Sequence, residues 1–337
     1  MSWYNQIGND FDTVVSSRVR LARNIAGYPF ASKLSADKAK EIIEKVTGAF
    51  AGKDLEKIDF SDISGTMALS YVEKHYVSKE FAQNRLPHAL LLNESSGTSI
   101  MICEEDHLRI QSILPGLDLE SAYKMASEYD DTLDLTLDIA YEEGLGYLTH
   151  CPTNLGTGMR ASVMMFLPAL TMAGRISALA TELSKLGLTM RGMYGEGSRA
   201  GGMLYQISNQ ITLGITEKQT LDKLSDVISQ ISEEERRIRT GLPKNENYER
   251  LRDRIMRSEG ILRYAHMLSS TELCEHFANI RLGIALGFIT DISYVTLGNL
   301  FIEAMPATLT LTSEEAPKTD TERDVARAKY IRSLINR

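Results

Sequence analysis

Residues 151–163, CPTNLGTGMRASV, have the composition of a loop that holds a ligand close to its backbone. Two glycines permit close approach of the main chain, and Arg160 offers a planar fork of donors that matches phosphate oxygens. The short hydrogen-bonding side chains in the segment are Thr153, Asn154 and Thr157. Such chemistry suits a phosphate ligand. An ordinary turn between strands at 146–148 and 162–167 would explain the composition equally well.

The segment SSRVR at 16–20 contains two further guanidinium groups at a spacing of two residues. In an extended strand Arg18 and Arg20 would point to the same side, because side chains alternate between the two faces. Two arginines that point together repel each other unless an anion lies between them. A solvated edge strand is the alternative interpretation of this segment.

Acidic residues dominate CEEDHLRI at 103–110, where three consecutive acids precede a histidine and an arginine. A solvated turn and a metal site both fit this composition. Metal binding is disfavoured, since no second cluster of histidine and acidic residues lies at ligand spacing. A second glycine-rich segment, RGMYGEGSRAGG at 191–202, has the composition of a loop that closes over a substrate. It matches neither a dinucleotide-binding nor a P-loop motif.

Composition narrows the class of protein. The chain has 337 residues, 43% hydrophobic and 24% charged, which is typical of a globular protein with two domains. Its net charge of −8 argues against general nucleic-acid binding. We expect neither a membrane span nor a secretory signal. Three cysteines without a CxxC pair argue against a zinc ribbon or a disulfide framework and favour the cytoplasm.

Local patterns predict the elements that must position these residues. A helix capped by Ser35 is expected over 35–50, with Ile42, Ile43 and Val46 inward. A short strand is expected at 67–72 and a hairpin at 88–93 and 99–103. Further helices are expected at 119–142 and 168–186, and strands at 188–193 and 203–213. Beyond residue 214 the helical segments are 217–240, 245–258, 270–286 and 319–337.

Four of these segments closely resemble the signatures of the phosphagen (guanidino) kinases and occur in that family's order. They are SSRVR, EEDHLR, CPTNLGTG followed by RASV, and RGxxGE. The resemblance implies an α+β fold with a mostly antiparallel sheet flanked by helices, and ATP as substrate with Mg²⁺ bound to the nucleotide. Cys103 stands where the family usually has asparagine.

The same resemblance implies roles for individual residues. Glu105 and Glu196 would hold the guanidinium from two sides, one of them accepting its proton, and Cys151 would act nearby as a thiolate. A structural cysteine is the alternative for Cys151. The implied nucleotide-binding residues are Ser16, Ser17, Arg18, Val19, Arg20, His75, Arg109, Arg160, Ala161, Ser162, Val163, Met164, Arg191, Gly192, Met193, Tyr194, Gly195 and Glu196. No protein ligand to a metal is expected.

The chain as a whole resembles the bacterial protein arginine kinases within that superfamily. It has 15 residues before SSRVR, where metabolic members carry a helical domain, so we expect an open acceptor site. We expect a phosphotransferase domain at 1–240 and a helical C-terminal domain at 241–337, with a homodimer. The motif RDVARA resembles an allosteric phosphoarginine site made of Arg323, Asp324, Val325, Ala326, Arg327 and Ala328. Without the resemblance, these residues would form an exposed helix face.

The resemblance further implies substrates and partners. Substrates would be proteins with exposed arginines, and partners a heat-shock repressor, a zinc-binding activator and a Clp-type unfoldase that degrades marked proteins during stress. Two alternatives stay open, a kinase of free arginine and a non-catalytic phosphoarginine-binding adaptor.

Overall fold

The computed structural model of the protein describes residues 2–192, 201–242 and 247–336. Its central element is an eight-stranded antiparallel sheet, and a separate two-stranded hairpin lies beside it. The strands are β1 (Val14–Arg23), β2 (Glu56–Asp59), β3 (Ala89–Asn93), β4 (Thr98–Ile102), β5 (Leu108–Pro115), β6 (Tyr141–Glu142), β7 (Gly146–Tyr147), β8 (Met159–Phe166), β9 (Leu188–Gly192) and β10 (Leu204–Asn209). The sheet order is β2-β3-β4-β5-β1-β8-β10-β9, so the first strand lies at its centre.

Helices cover both faces of this sheet. They are α1 (Ala36–Ala49), α2 (Gly65–Glu73), α3 (Lys79–Ala82), α4 (Leu119–Thr136), α5 (Pro168–Met172), α6 (Ile176–Lys185), α7 (Glu217–Gly241), α8 (Tyr248–Tyr264), α9 (Ser270–Ala285), α10 (Tyr294–Glu303), α11 (Pro306–Thr312) and α12 (Asp320–Ile335). Short 3-10 turns occur at Trp3–Asn5, Ala31–Lys33, Pro152–Asn154 and Gly201–Met203. None of the helices in the described ranges is both long and apolar enough to cross a bilayer.

One face of the sheet packs against α1, α4, α6 and α7. Val19 and Leu21 of β1 are buried in this first core together with Val163 of β8. Because side chains alternate along a strand, the even-numbered residues of β1 from Ser16 onward point to the opposite face, whereas Val14 lies before a register shift and belongs to the first core. The first core therefore fixes where Arg18 and Arg20 lie.

The second core combines that opposite face with α2 and the C-terminal helices. Residues near the start of the chain join it, since Trp3 and Tyr4 are buried there. The Tyr4 hydroxyl donates to Oε1 of Glu303 at 2.5 Å, and Arg281 of α9 donates to the backbone oxygen of Phe11. The C-terminal helices thus cover part of the sheet face that carries the arginines of β1.

Most of the predicted elements are confirmed, including the α+β class, the hairpin β3–β4 and the helix capped by Ser35, whose Oγ accepts from the Lys38 amide. The strand predicted at 67–72 is wrong. Ser64 caps a helix there by accepting from the Met67 amide at 3.2 Å, and Met, Ala and Leu favour helix.

Two other predictions differ in detail, and two helices were not predicted. The helix predicted over 119–142 ends at Thr136, and β6 and β7 follow it. Gly174, with φ of +68°, separates α5 from α6 within the predicted 168–186 helix. Helices α10 and α11 were not predicted, since their sequences lack the polar and apolar periodicity of a half-exposed helix.

Candidate active site

Pairing of neighbouring strands brings four arginines together. In the register of the sheet, Arg20 of β1 lies opposite Arg160 of β8, and Arg18 lies opposite Ser162. On the other side of β1, Arg109 of β5 pairs with Ala22. The four arginines come from three adjacent strands that are far apart in sequence, so the sheet order produces the cluster.

The cluster is electrostatically unbalanced. Burial and repulsion from Arg160 and Arg109 lower the pKa of Arg18 to about 10. Burial and the neighbouring arginines also hold the pKa of Arg20 far below its ordinary value, and burial and repulsion lower that of Arg160. Nε of Arg20 and Nε of Arg160 are buried without a hydrogen-bond partner in the described part of the chain. Unpaired buried charge is costly, so this arrangement is suited to binding a polyanion.

Two adjoining cavities surround the cluster, and both are lined by Arg18, Arg20 and Arg191. The first has a volume of about 450 Å³ and is mainly apolar. The second, of about 410 Å³, is mainly polar and brings Glu105 and Cys151 next to the arginines. An apolar compartment beside a cationic one matches a nucleotide, which has a flat base and an anionic chain of phosphates.

A tight turn between β4 and β5 presents the candidate catalytic carboxylate. Cys103 opens this turn with φ of +65°, and its amide donates to the His107 oxygen at 2.8 Å. Asparagine tolerates this left-handed region better than most non-glycine residues, so an asparagine would fit the backbone at this position. Oε2 of Glu105 accepts from Nη2 of Arg109 at 3.2 Å, and the Glu105 side chain is 42% exposed. Glu105 is thus oriented by one arginine and open to a substrate.

Glu104 is a supporting residue that the sequence analysis missed. Its side chain is buried and accepts from Nη1 of Arg109 at 2.5 Å and from the Ser78 hydroxyl at 2.6 Å. Glu104 thus holds the Arg109 guanidinium in the position from which it contacts Glu105. The sequence did not distinguish Glu104 from Glu105, because three consecutive acids in a turn do not show which of the side chains is buried.

Asp106 and Asn24 also escaped the sequence analysis. Asp106 Oδ1 accepts from the Asn24 amide group and from the His150 backbone amide, each at 2.7 Å. Asn24 in turn accepts from the His107 amide at 2.9 Å. These bonds tie the turn that carries Glu105 to the loop that carries Cys151. The buried hydrogen bonds of Asp106 and Asn24 join residues that are far apart in sequence, so no local sequence pattern predicts them.

Cys151 lies at the start of the 3-10 turn Pro152–Asn154, and its sulfur is 3.0 Å from the Thr153 hydroxyl. It borders the polar cavity with Thr153, Asn154 and Gly158. Gly158 has φ of +62°, and an added Cβ would lie 2.7 Å from the Ala22 oxygen. The loop therefore approaches β1 more closely than a side chain would permit.

His75 follows the end of α2 and has φ of +63°. Its ring lies 5.8 Å from that of Trp3 and lines the apolar cavity beside Arg18. Burial, with a smaller effect from Arg18, lowers its pKa to about 4. The imidazole is therefore neutral at physiological pH and does not add to the charge of the cluster.

The other predicted nucleotide-binding residues lie in four different settings. Ser16, Ser162, Met164, Arg191 and Gly192 line the apolar cavity, whereas the side chains of Val19, Ala161 and Val163 are buried in the first core. The Ser17 hydroxyl donates to the Gly116 oxygen at 2.8 Å and accepts from the Asp118 amide at 3.0 Å. Four predicted residues lie outside the described ranges, namely Met193, Tyr194, Gly195 and Glu196.

The six residues of the predicted phosphoarginine site lie on α12, away from both cavities. The Arg327 side chain is buried and donates to the backbone oxygens of Ala304 at 2.9 Å and Leu268 at 2.7 Å. It also contacts Asp324, while Arg323 pairs with Asp320. The other three residues of the predicted site are the half-buried Val325 and Ala326 and the buried Ala328. In this conformation Arg327 stabilises helix packing.

Within the described residues, no group of three or more histidine, cysteine or acidic side chains could hold a metal ion. Phosphate oxygens are good ligands for Mg²⁺, which commonly keeps several waters and few protein ligands. The site chemistry is therefore compatible with a metal carried by a nucleotide.

Comparisons with known proteins agree with this geometry. Residues 38–238 match the model of the "ATP:guanido phosphotransferase, C-terminal catalytic domain", and residues 248–337 match that of the "Protein-arginine kinase McsB C-terminal domain". The protein-arginine kinase of Halothermothrix orenii is 44% identical over 337 residues, covering 99% of this chain and 96% of that protein. That of Clostridium acetobutylicum is 42% identical over 340 residues, covering 99% of each.

Solved structures of similar fold include a taurocyamine kinase and a lombricine kinase. A duplicated taurocyamine kinase from Schistosoma mansoni, with bound transition-state analogue components, has a TM-score of 0.59 and 28% identity. The similarity covers 66% of this chain and 32% of that one. A lombricine kinase has a TM-score of 0.61 at 23% identity, covering 70% and 69% of the two chains.

Proposed function

This chain belongs to the ATP:guanido phosphotransferase family and, within it, to the protein-arginine kinases, and we propose that it transfers the γ-phosphoryl group of ATP to arginine side chains of proteins. The observation that carries the proposal is the juxtaposition of unpaired arginines and Glu105 around one polar cavity. The arginines suit the phosphates, and the carboxylate suits a guanidinium group.

The reaction requires a guanidinium nitrogen to attack phosphorus while a proton leaves it. Guanidinium is a poor nucleophile because its electrons are delocalised and its pKa exceeds ~12. Glu105 would orient the group and accept the proton, and Cys151 would border the same guanidinium. The arginines of the cluster would stabilise the charge that develops on the transferring phosphoryl group. We assign Glu196 the second carboxylate role on the resemblance alone.

Mg²⁺ would arrive with ATP and neutralise charge on its phosphates. His75 and Met164 line the apolar compartment that would receive the base, and Arg18 and Arg20 line both compartments. A nucleotide bound across the two cavities would therefore direct its terminal phosphate toward Glu105.

Several wider features belong to the same proposal. Relatives that share almost the full length of this chain are named protein-arginine kinases, which favours protein substrates over free arginine. We extend this to a cytoplasmic homodimer whose helical C-terminal domain, from residue 241, senses phosphoarginine through Arg323 and Arg327. The product would mark proteins for a Clp-type unfoldase under stress, with a heat-shock repressor as substrate and a zinc-binding protein as activator.

The decisive experiment offers both kinds of acceptor. The protein is incubated with Mg-ATP and an unstructured arginine-rich protein, and in parallel with free arginine. Products are analysed by mass spectrometry at neutral to alkaline pH, because P–N bonds are acid-labile. We expect phosphate on protein arginines and none on free arginine.

Other outcomes would redirect the assignment. Phosphorylation of free arginine alone would make the protein a small-molecule arginine kinase. ATP binding without phosphorylation of either acceptor would favour an adaptor that binds phosphoarginine. Either result would contradict the proposed activity.

A further inference from the structure

An imidazole lies beside Glu105 that the mechanism above does not use. We propose that His150 takes the proton onward from Glu105 during phosphoryl transfer and delivers it to solvent. The inference rests on the proposed function. His150 acts through Glu105 and does not contact the substrate. It is therefore a positioning residue, which supports the catalytic Glu105.

The two carboxylate oxygens of Glu105 have different environments. Oε2 is held by Nη2 of Arg109 at 3.2 Å, whereas Oε1 faces Nδ1 of His150 at 3.9 Å. A small rotation of the exposed carboxylate shortens the separation of 3.9 Å to hydrogen-bond distance. Catalytic hydrogen bonds are commonly longer before the substrate binds. The oxygen free of Arg109 is therefore the one that can pass on a proton.

The imidazole is held from its other side. Nε2 lies 3.1 Å from the Ser32 hydroxyl, and the ring packs edge-on against Phe30 at a centroid distance of 5.7 Å. The backbone amide of His150 donates to Asp106 at 2.7 Å. These contacts direct Nδ1 toward Glu105. The side chain is 37% exposed, so a proton on Nε2 can reach water.

Charged groups face His150 from the turn between β4 and β5. This turn contributes Glu105 and Asp106, with Arg109 behind Glu105, whereas the next residue of the loop itself, Cys151, contacts the Thr153 hydroxyl. On the side of the 3-10 turn Ala31–Lys33, the contacts are the neutral Ser32 and Phe30. Thus Glu105 is the group from which Nδ1 can receive a proton.

The transfer balances without a further reactant. A guanidinium nitrogen forms a bond to the γ-phosphorus as the bond from phosphorus to the bridging oxygen breaks, and ADP leaves. The nitrogen's proton passes to Oε1 of Glu105 and then to Nδ1 of His150. The imidazolium releases its Nε2 proton to water, which leaves Glu105 as a carboxylate and His150 neutral with its proton on Nδ1. Exchange of this ring proton with water restores the Nε2–H tautomer before the next turnover. The forward reaction therefore needs a neutral His150.

The test is a profile of kcat against pH, from about pH 5.5 to 9, for phosphorylation of a protein acceptor with saturating Mg-ATP. Histidine is the side chain that ordinarily titrates in this range. For His150→Gln we expect kcat at the plateau to fall about tenfold, less than the ~10²–10⁴-fold typical of a primary acid–base group. We also expect the acid limb of the wild-type profile to move to lower pH. His266→Gln makes the same change at an exposed histidine outside both cavities and should leave the profile unchanged.

Calorimetric titration with ATP checks that His150→Gln is folded and binds nucleotide as the wild type does. A profile for His150→Gln that keeps the wild-type acid limb would overturn the inference, whatever the loss of rate, because a packing role does not set that limb. An inactive wild type would instead contradict the proposed function itself.

Discussion

Replacing Arg18 by methionine should make the nucleotide-free protein more stable and its nucleotide binding weaker. Burial, together with Arg160 and Arg109, lowers the pKa of Arg18 from the ordinary arginine value to about 10. Arginine is charged in the folded and unfolded states at neutral pH, so the whole difference opposes folding there. At about 1.4 kcal/mol for each pKa unit, the charge costs the folded state ~3 kcal/mol. We expect Arg18→Met to recover about 1–3 kcal/mol of this.

The binding effect has the opposite sign. A hydrogen bond from a charged donor to phosphate contributes ~1.5–3 kcal/mol, so ATP affinity should fall by roughly 10- to 150-fold. Urea denaturation of the nucleotide-free protein measures the first effect, and calorimetric titration with ATP measures the second. Arg85→Met is the matched control at an exposed arginine outside both cavities and should change stability by less than ~0.5 kcal/mol. A less stable Arg18→Met protein with unchanged ATP affinity would refute the electrostatic argument.

Three further changes test two residues that line the cavities and the buried ion pair between Arg23 and Asp130. Glu105→Gln should reduce phosphorylation by ~10²–10⁴-fold with ATP binding retained, because the proton acceptor is lost and the arginine cluster is intact; near-normal turnover would exclude Glu105 as the base. His75→Asn, which suits the positive φ, should flatten the loss of stability at acid pH. The half-buried His75 has a pKa of about 4 against an ordinary 6.5, so the unfolded state binds more protons between these values and wild-type stability declines by about 3 kcal/mol as pH falls through them. Urea denaturation at pH 4.5 and 7 should reveal this difference, and equal pH dependence in both proteins would contradict it. Asp130→Ala should cost ~3–5 kcal/mol because it leaves Arg23 buried and unpaired, whereas Asp253→Ala, in an exposed ion pair, should cost less than ~1 kcal/mol; similar thermal unfolding temperatures for the two variants would be inconsistent with this reasoning.

Most of the secondary structure and the identity of the motifs could be predicted from local sequence. Alternation along SSRVR correctly placed Arg18 and Arg20 on one side of β1, because side-chain direction in a strand depends only on residue number. The Ser35 cap and the hairpin β3–β4 were also predictable from local sequence, because caps and turns depend on contacts within a few residues. The strand predicted at 67–72 failed because a serine cap three residues upstream outweighed its apolar composition.

Only the tertiary structure decided which distant residues meet. The sheet order sets β1 between β5 and β8, and that order brings Arg109 and Arg160 to opposite sides of Arg18 and Arg20. Strand pairing over such separations depends on burying both faces of the sheet, which periodicity within one segment does not encode. The burial of Arg327 is likewise invisible to a helical pattern, because a charged residue is normally assigned to solvent. Sequence therefore determined which groups could bind phosphate and guanidinium, whereas long-range packing determined their distances and charges.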